Sequence, residues 1–272
     1  IIGCNIKIKT PSEFINENVQ DPFFYMNIFS KNNEGYLNLL KLISTSYMSN
    51  KKDSYLEIND LIKLKEGIIV LTGGNNSILR QCKNKIITKQ ANLFIKLLKE
   101  NFDQNLYMEI QRLGRNHEIL NEYSILSIAC DNNLPLVATN DVFFEGPEHY
   151  EAHDALVCIE KKLFVSQSDR VRLSDQHYFK SPNEMKDLFK DLPEALNNTI
   201  EIAQRCSYRP ATQKPILPEF PVTESTEKDL LKKLAINGLD RRLEEKFILE
   251  KMDLENHDKI RSTYNERLQK EL

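Results

Sequence analysis

Along the 272 residues, short apolar runs alternate with longer stretches in which leucine and isoleucine return every three or four positions. That rhythm reads as strands interleaved with helices. The strand-like runs are residues 1–8 (IIGCNIKI), 67–71 (GIIVL), 106–110 (LYMEI) and 134–138 (LPLVA). Residues 35–48, 88–99 and 117–132 carry helical spacing between them, and residues 148–159 form a further helix after the last strand. Asn32-Asn33 is a start signal for the first helix. The strands are apolar on both faces, as strands covered by helices are. The pattern therefore predicts an α/β fold of parallel βαβ units rather than an antiparallel sheet.

From about residue 181 the character changes. Residues 181–206 read as two helices split at Pro193, and four prolines then fall between Arg209 and Pro221. Two charged helices follow, at residues 227–247 and about 253–272. The expected organisation is an α/β domain over residues 1–207, a proline-rich connector over 208–224 and a helical segment over 225–272. The final helices are too short and their leucines too irregular for a coiled coil. The chain opens inside a strand-like run and ends in a helix without a breaker, so both ends read as cuts in a longer chain.

Composition narrows the function classes. A net charge of −3 excludes a broadly basic nucleic-acid surface, though not a local patch. No apolar run approaches the roughly 20 residues of a membrane helix, and no stretch of the sequence reads as a signal peptide. The five cysteines form no C-x-x-C pair and read as reduced, mostly buried thiols of a cytosolic protein.

In parallel α/β folds the chemistry gathers at the C-terminal ends of strands. Three strand ends are distinctive: Thr72-Gly73-Gly74, Glu109 to Arg112, and Thr139-Asn140-Asp141. Glu109 and Asp141, on neighbouring strand ends, are the candidate metal ligands. The plainer alternative is that Asp141 caps the next helix and Glu109 pairs with a lysine. His149 and His153 sit at i, i+4 in HYEAHD, but Glu151 is one place late for H-E-x-x-H, so they read as solvent-facing or packing histidines. Thr72-Gly73-Gly74 matches no phosphate-loop pattern and reads as a strand-to-helix turn needing positive φ. His117, His177 and His257 are isolated and carry no signal.

Several segments, taken in order, identify a family. SKNNEGYLNLLKLIS, GIIVLTGG, LPLVATNDVFF, EHYEAHDALVCI, HYFKSPNEMKDLFKDLPEALNNTIEIAQRC and ILPEFP together resemble the alpha subunit of bacterial DNA polymerase III, the replicative polymerase, over its polymerase-and-histidinol-phosphatase (PHP) domain. The resemblance covers nearly the whole chain. It implies a PHP-type (β/α)7-like distorted barrel lacking its first βα units, followed by a helical connector toward the polymerase palm. The missing strands would carry the His-x-His and Thr-Asp-His ligands, and the palm aspartates would lie beyond Leu272, so no catalytic residue falls on this chain. An open edge and exposed apolar surface are then expected around residues 1–8.

Metal-competent members carry Asn-Asp-x-His where this chain has Asn140-Asp141-Val142-Phe143, and often a histidine shortly after Glu-x-Gln, where this chain has Arg112-Leu113-Gly114. A phenyl ring in place of imidazole removes a donor and adds about 2 kcal/mol of burial preference. The resemblance thus implies a relic metal site at Asp141 and Glu109, with Phe143 filling the pocket. It implies a cytoplasmic, non-catalytic PHP scaffold within a DNA-directed DNA polymerase, with no cofactor on this stretch and Mg2+ serving the complete polymerase. The implied partners are the proofreading exonuclease subunit, the sliding clamp and other holoenzyme subunits, with DNA and deoxynucleoside triphosphates bound by the whole protein. The rival reading is a metal-dependent phosphoesterase or 3′–5′ exonuclease in the PHP fold, holding Zn2+ or Mn2+ through the upstream histidines despite Phe143.

Overall fold

The computed structural model describes residues 1–11, 23–49, 54–74, 77–81, 85–115, 118–170, 172–217, 220–221, 226–250 and 254–272. It divides into two compact units, Ile1–Ala211 and Thr212–Leu272. His117, named above, and Cys82, one of the five cysteines, lie outside the described residues.

The first unit is built on a six-stranded sheet. Its strands are β1 (Gly3–Lys9), β2 (Phe23–Ser30), β3 (Leu56–Glu57), β4 (Ile68–Leu71), β5 (Leu106–Ile110) and β6 (Leu136–Ala138), in the spatial order β3-β1-β2-β4-β5-β6. β4, β5 and β6 are parallel, as the pattern predicts, with Leu71 beside Tyr107 and Glu109 beside Val137. β2 is not among the predicted strands, and it overturns the all-parallel expectation. It runs antiparallel to β1, with Gly3 opposite Phe29 and Lys9 opposite Phe23, and antiparallel to β4, with Asn27 opposite Leu71. Its side chains alternate strictly: Phe24, Met26 and Ile28 are buried, while Phe23, Tyr25, Asn27 and Phe29 are half-buried. Aromatic residues occupy both faces, which blurs the period of two that identifies a strand.

The expected open edge around residues 1–8 holds in part: among the described residues the outer side of β1 is unpaired from Gly3 to Lys7 and Ile1 is exposed, whereas its far end is covered. β1 lies between β2 and β3, and Ile6 and Ile8 are buried. The partner on the outer side is short: β3 pairs only with Ile8 and Lys9.

Helices cover both faces, which explains why β4 reads as an unbroken apolar run with all four residues buried. On one face pack α1 (Asn33–Ser49), α2 (Ile58–Lys63), α3 (Lys85–Phe102) and α4 (Glu118–Asp131). They bring Leu39, Leu42, Phe94, Leu98 and Ile128 into one cluster with the even-numbered side chains of β1 and β2. Phe24 meets Phe94 edge-on at 5.3 Å between ring centroids. α1 starts where predicted, with the Asn32 side chain accepting the Gly35 N–H at 2.9 Å.

After β6 come α5 (Tyr150–Lys161), α6 (Pro182–Leu188) and α7 (Pro193–Arg205). α6 opens with a capping box between Ser181 and Glu184, and α7 begins at Pro193 as the sequence predicts. α7 covers the second face, placing Ile202 against Ile69, Leu71, Tyr107 and Val137.

The turn after β4 has the predicted left-handed backbone, with φ of 91° at Gly73 and 49° at Gly74. A Cβ on Gly73 would stand 1.8 Å from the Tyr25 carbonyl oxygen, so the close approach of β2 also requires glycine there.

The second unit is a pair of helices, α8 (Glu227–Glu250) and α9 (Leu254–Glu271). Leu243 and Phe247 are buried, and the Phe247 ring stacks on His257 at 3.9 Å. No helix among the described residues is long and apolar enough to cross a membrane.

Candidate functional site

The ends of β4, β5 and β6 converge on Glu109. β5 carries it on the same face as Tyr107, but one step further along, past the end of the apolar cover. It is 1% exposed. Asn27 Nδ2 donates to both carboxylate oxygens, at 2.9 and 3.2 Å, and the Gly73 N–H donates at 3.0 Å. The Thr139 hydroxyl donates at 2.6 Å and Gln111 Nε2 at 3.2 Å. Thr72 completes the arrangement by accepting the Glu109 N–H at 3.0 Å. Asn27 in turn accepts from Asn5 at 2.8 Å, so a polar line crosses β1, β2 and β5.

These partners are neutral, and the expected lysine pairing is replaced by this ring of donors. Burial pushes the Glu109 carboxyl above its ordinary value, and the hydrogen bonds from Thr139, Asn27 and Gly73 only partly oppose it. Asp141 adds a smaller push in the same direction, so the two predicted residues lie within electrostatic reach of each other. Asp141 is half-buried, raised by burial and held back by the Arg115 guanidinium. It caps no helix: the residues preceding the next helical turns are Gly146 and His149.

The donor geometry does not suit a cation at Glu109. Both carboxylate oxygens face N–H or O–H groups, one of them a main-chain amide that cannot turn away. A divalent ion wants lone pairs where those hydrogens point. Among the described residues, no three His, Cys, Asp or Glu side chains are grouped to hold a metal.

Phe143 does not fill the pocket. It is 50% exposed and lines a cavity of about 360 Å3 together with Tyr150 and His153. Its ring rests against the rings of His153 and His177, at 5.6 and 5.8 Å. The main chain sets this position, because the Phe143 N–H is tied to the His177 carbonyl at 2.9 Å. His149 is exposed and His153 half-buried against Phe143 and Phe144, so the first faces solvent and the second packs. Of the four described cysteines, Cys158 and Cys206 are buried, Cys4 is half-buried and Cys130 is exposed.

The residue passed over in the sequence is His177, which is fully enclosed. Arg115 approaches its Nε2 at 3.0 Å. A guanidinium only donates, so Nε2 holds the lone pair and Nδ1 carries the proton, facing the Ser174 carbonyl at 3.1 Å. Burial first, and Arg115 next, lower the imidazole pKa from 6.5 to about 4. The unfolded chain therefore takes up this proton before the folded one does. Stability attributable to His177 is complete above pH 6.5 and is expected to fall by up to about 3 kcal/mol as pH drops toward 4. Urea melts across that window should show the loss, and His177→Gln should flatten it; equal slopes in both proteins would refute the assignment. The only sequence cue is a lone His between polar and aromatic residues, which does not reveal a buried position.

Arg112, at the same strand end, serves architecture. It pairs with Glu122 of α4 and Asp191 beyond α6, and lies 4.8 Å over the Phe189 ring. The two carboxylates raise its already high pKa further.

Residues 1–113 match the PHP domain family. The chain is 37% identical over 247 residues to the DNA polymerase III subunit alpha of Rickettsia bellii, covering 90% of this chain and 21% of that protein. It is 35% identical to the same subunit of Haemophilus influenzae, covering 100% of this chain and 23% of that one. For Pseudomonas aeruginosa the identity is 34%, over 92% of this chain and 22% of the relative. The chain thus spans between a fifth and a quarter of the length of the curated relatives it matches. The mixed α/β architecture agrees with a PHP-type distorted barrel.

Proposed function

With residues 1–113 matched to the PHP domain and nearly the whole chain similar to one stretch of bacterial DNA polymerase III alpha subunits, we propose that the chain is part of such a subunit and acts there as a non-catalytic scaffold. The observation that carries this is similarity running through both units rather than through a single motif. On this reading the whole protein is a cytoplasmic DNA-directed DNA polymerase. It extends DNA from deoxynucleoside triphosphates by Mg2+-assisted phosphoryl transfer, with the reacting groups outside these residues. The scaffold serves the proofreading exonuclease subunit, the sliding clamp and other holoenzyme partners.

Glu109 and Asp141 are then a relic pair. Glu109 has become the acceptor that ties β2, β4, β5 and β6 together, and Asp141 stands opposite Arg115. A phosphoesterase or 3′–5′ exonuclease reading would require Zn2+ or Mn2+ at this strand end, where the ring of donors around Glu109 opposes it.

The intact protein is expected to extend a primed template with Mg2+ and deoxynucleoside triphosphates. It is expected to release no phosphate or nucleotide from model phosphoesters in excess Zn2+ or Mn2+. No extension would overturn the polymerase reading. Metal-dependent cleavage abolished by Asp141→Asn would overturn the scaffold reading in favour of the nuclease.

A further inference from the structure

We propose that the apolar groove between α6 and α7 docks a peptide segment of a partner protein, one in which apolar side chains stand beside an acidic residue. The proposal deepens the partner-binding reading above and rests on it. The groove encloses about 590 Å3 and begins where β6 ends, at Ala138. Leu196 and Ile200, one helical turn apart on α7, form one wall, and Ile200 is 60% exposed. Phe179, 73% exposed, and Met185 of α6 form the other. Contiguous apolar side chains left in water beside a concave surface mark an interaction site. A slot between two helices suits the side chains of a bound segment.

Charge specifies the occupant. Lys180 and Lys186 line the same groove. Lys180 is 8% exposed, and its ammonium donates to two neutral acceptors, the Gln176 carbonyl and Asn140 Oδ1. Among the described residues, neither lysine has a carboxylate within ion-pair distance. Glu184, whose charge reaches Lys180, already accepts from the Tyr178 hydroxyl at 2.7 Å and the Ser181 N–H at 2.7 Å. A buried ammonium held by two neutral oxygens and the Tyr178 ring, 4.3 Å away, with carboxylates only at longer range, still favours an arriving anion. A basic segment would be repelled from the same place.

The test uses the intact protein and a short fluorescein-labelled peptide of alternating leucine and aspartate, with a counterpart carrying lysine for aspartate. Fluorescence anisotropy should show the aspartate peptide binding at least about tenfold more tightly. Ile200→Glu should weaken it by about tenfold, and Lys186→Glu should shift the preference toward the lysine peptide, with circular dichroism showing both variants folded. Equal binding of the two peptides, no binding of either, or an unaffected Ile200→Glu would overturn the groove. Primer extension on the same preparation separates the two readings. Normal extension without a charge preference defeats the groove alone. Absent extension with the expected preference defeats the polymerase assignment alone.

Discussion

Glu109→Ala is expected to cost about 4 kcal/mol of stability, read as a lower urea midpoint with an unchanged slope. The substitution leaves Asn27, Gly73, Gln111 and Thr139 without their shared acceptor, and all of them converge on a side chain that is 1% exposed. Unmet buried donors are dearer than the hydrogen bonds themselves. Glu109→Gln keeps the volume but turns an amide N–H toward one of these donors, so it should fall between wild type and alanine. A second readout follows from the carboxyl's raised pKa. The folded chain holds this proton to higher pH than the unfolded chain does, so its contribution to stability declines as pH rises above 4.5. Glu109→Gln should abolish that decline. A midpoint for Glu109→Ala within experimental error of wild type would show that water satisfies the four donors.

Phe24→Ala should be as damaging, costing about 3–5 kcal/mol. Phe24 is 1% exposed on β2 and meets Phe94 of α3 edge-on. A cavity there falls under β2, which runs antiparallel to both of its neighbours. The exposed Tyr123→Ala, at 78% exposure, is the matched control and should change stability little. If Phe24→Ala melts like that control, β2 is a peripheral strand and the sheet order is wrong.

The two predictions differ in how visible their residues are in the sequence. Glu109 and Asp141 stand at the ends of runs whose apolar pattern is unmistakable, so the strand ends and their delivered side chains could be named. What each meets could not. Asn27 reaches Glu109 from a strand distant in sequence, and that strand carries phenylalanine or tyrosine on both faces. Helices betray themselves locally, through Asn32 before α1 and Pro193 at α7. Sheet order has no such local cue, because pairing is a property of residues far apart in sequence. His177 illustrates the same limit: its burial comes from a bridge between Phe144 and Tyr178 and from Arg115, none of which the spacing of histidines reveals.

The cover that α7 lays over the second face of the sheet has a consequence for synthesis. Ile69, Leu71, Tyr107 and Val137 leave the ribosome well before Ile202 and Cys206, which complete their burial. At about 5–20 residues per second, the nascent sheet presents that apolar face for several seconds with nothing of its own to cover it. Chaperones that hold exposed apolar segments therefore have their longest opportunity between the emergence of β6 and that of α7. A ribosome stalled in that interval would carry the species of this chain most prone to aggregate.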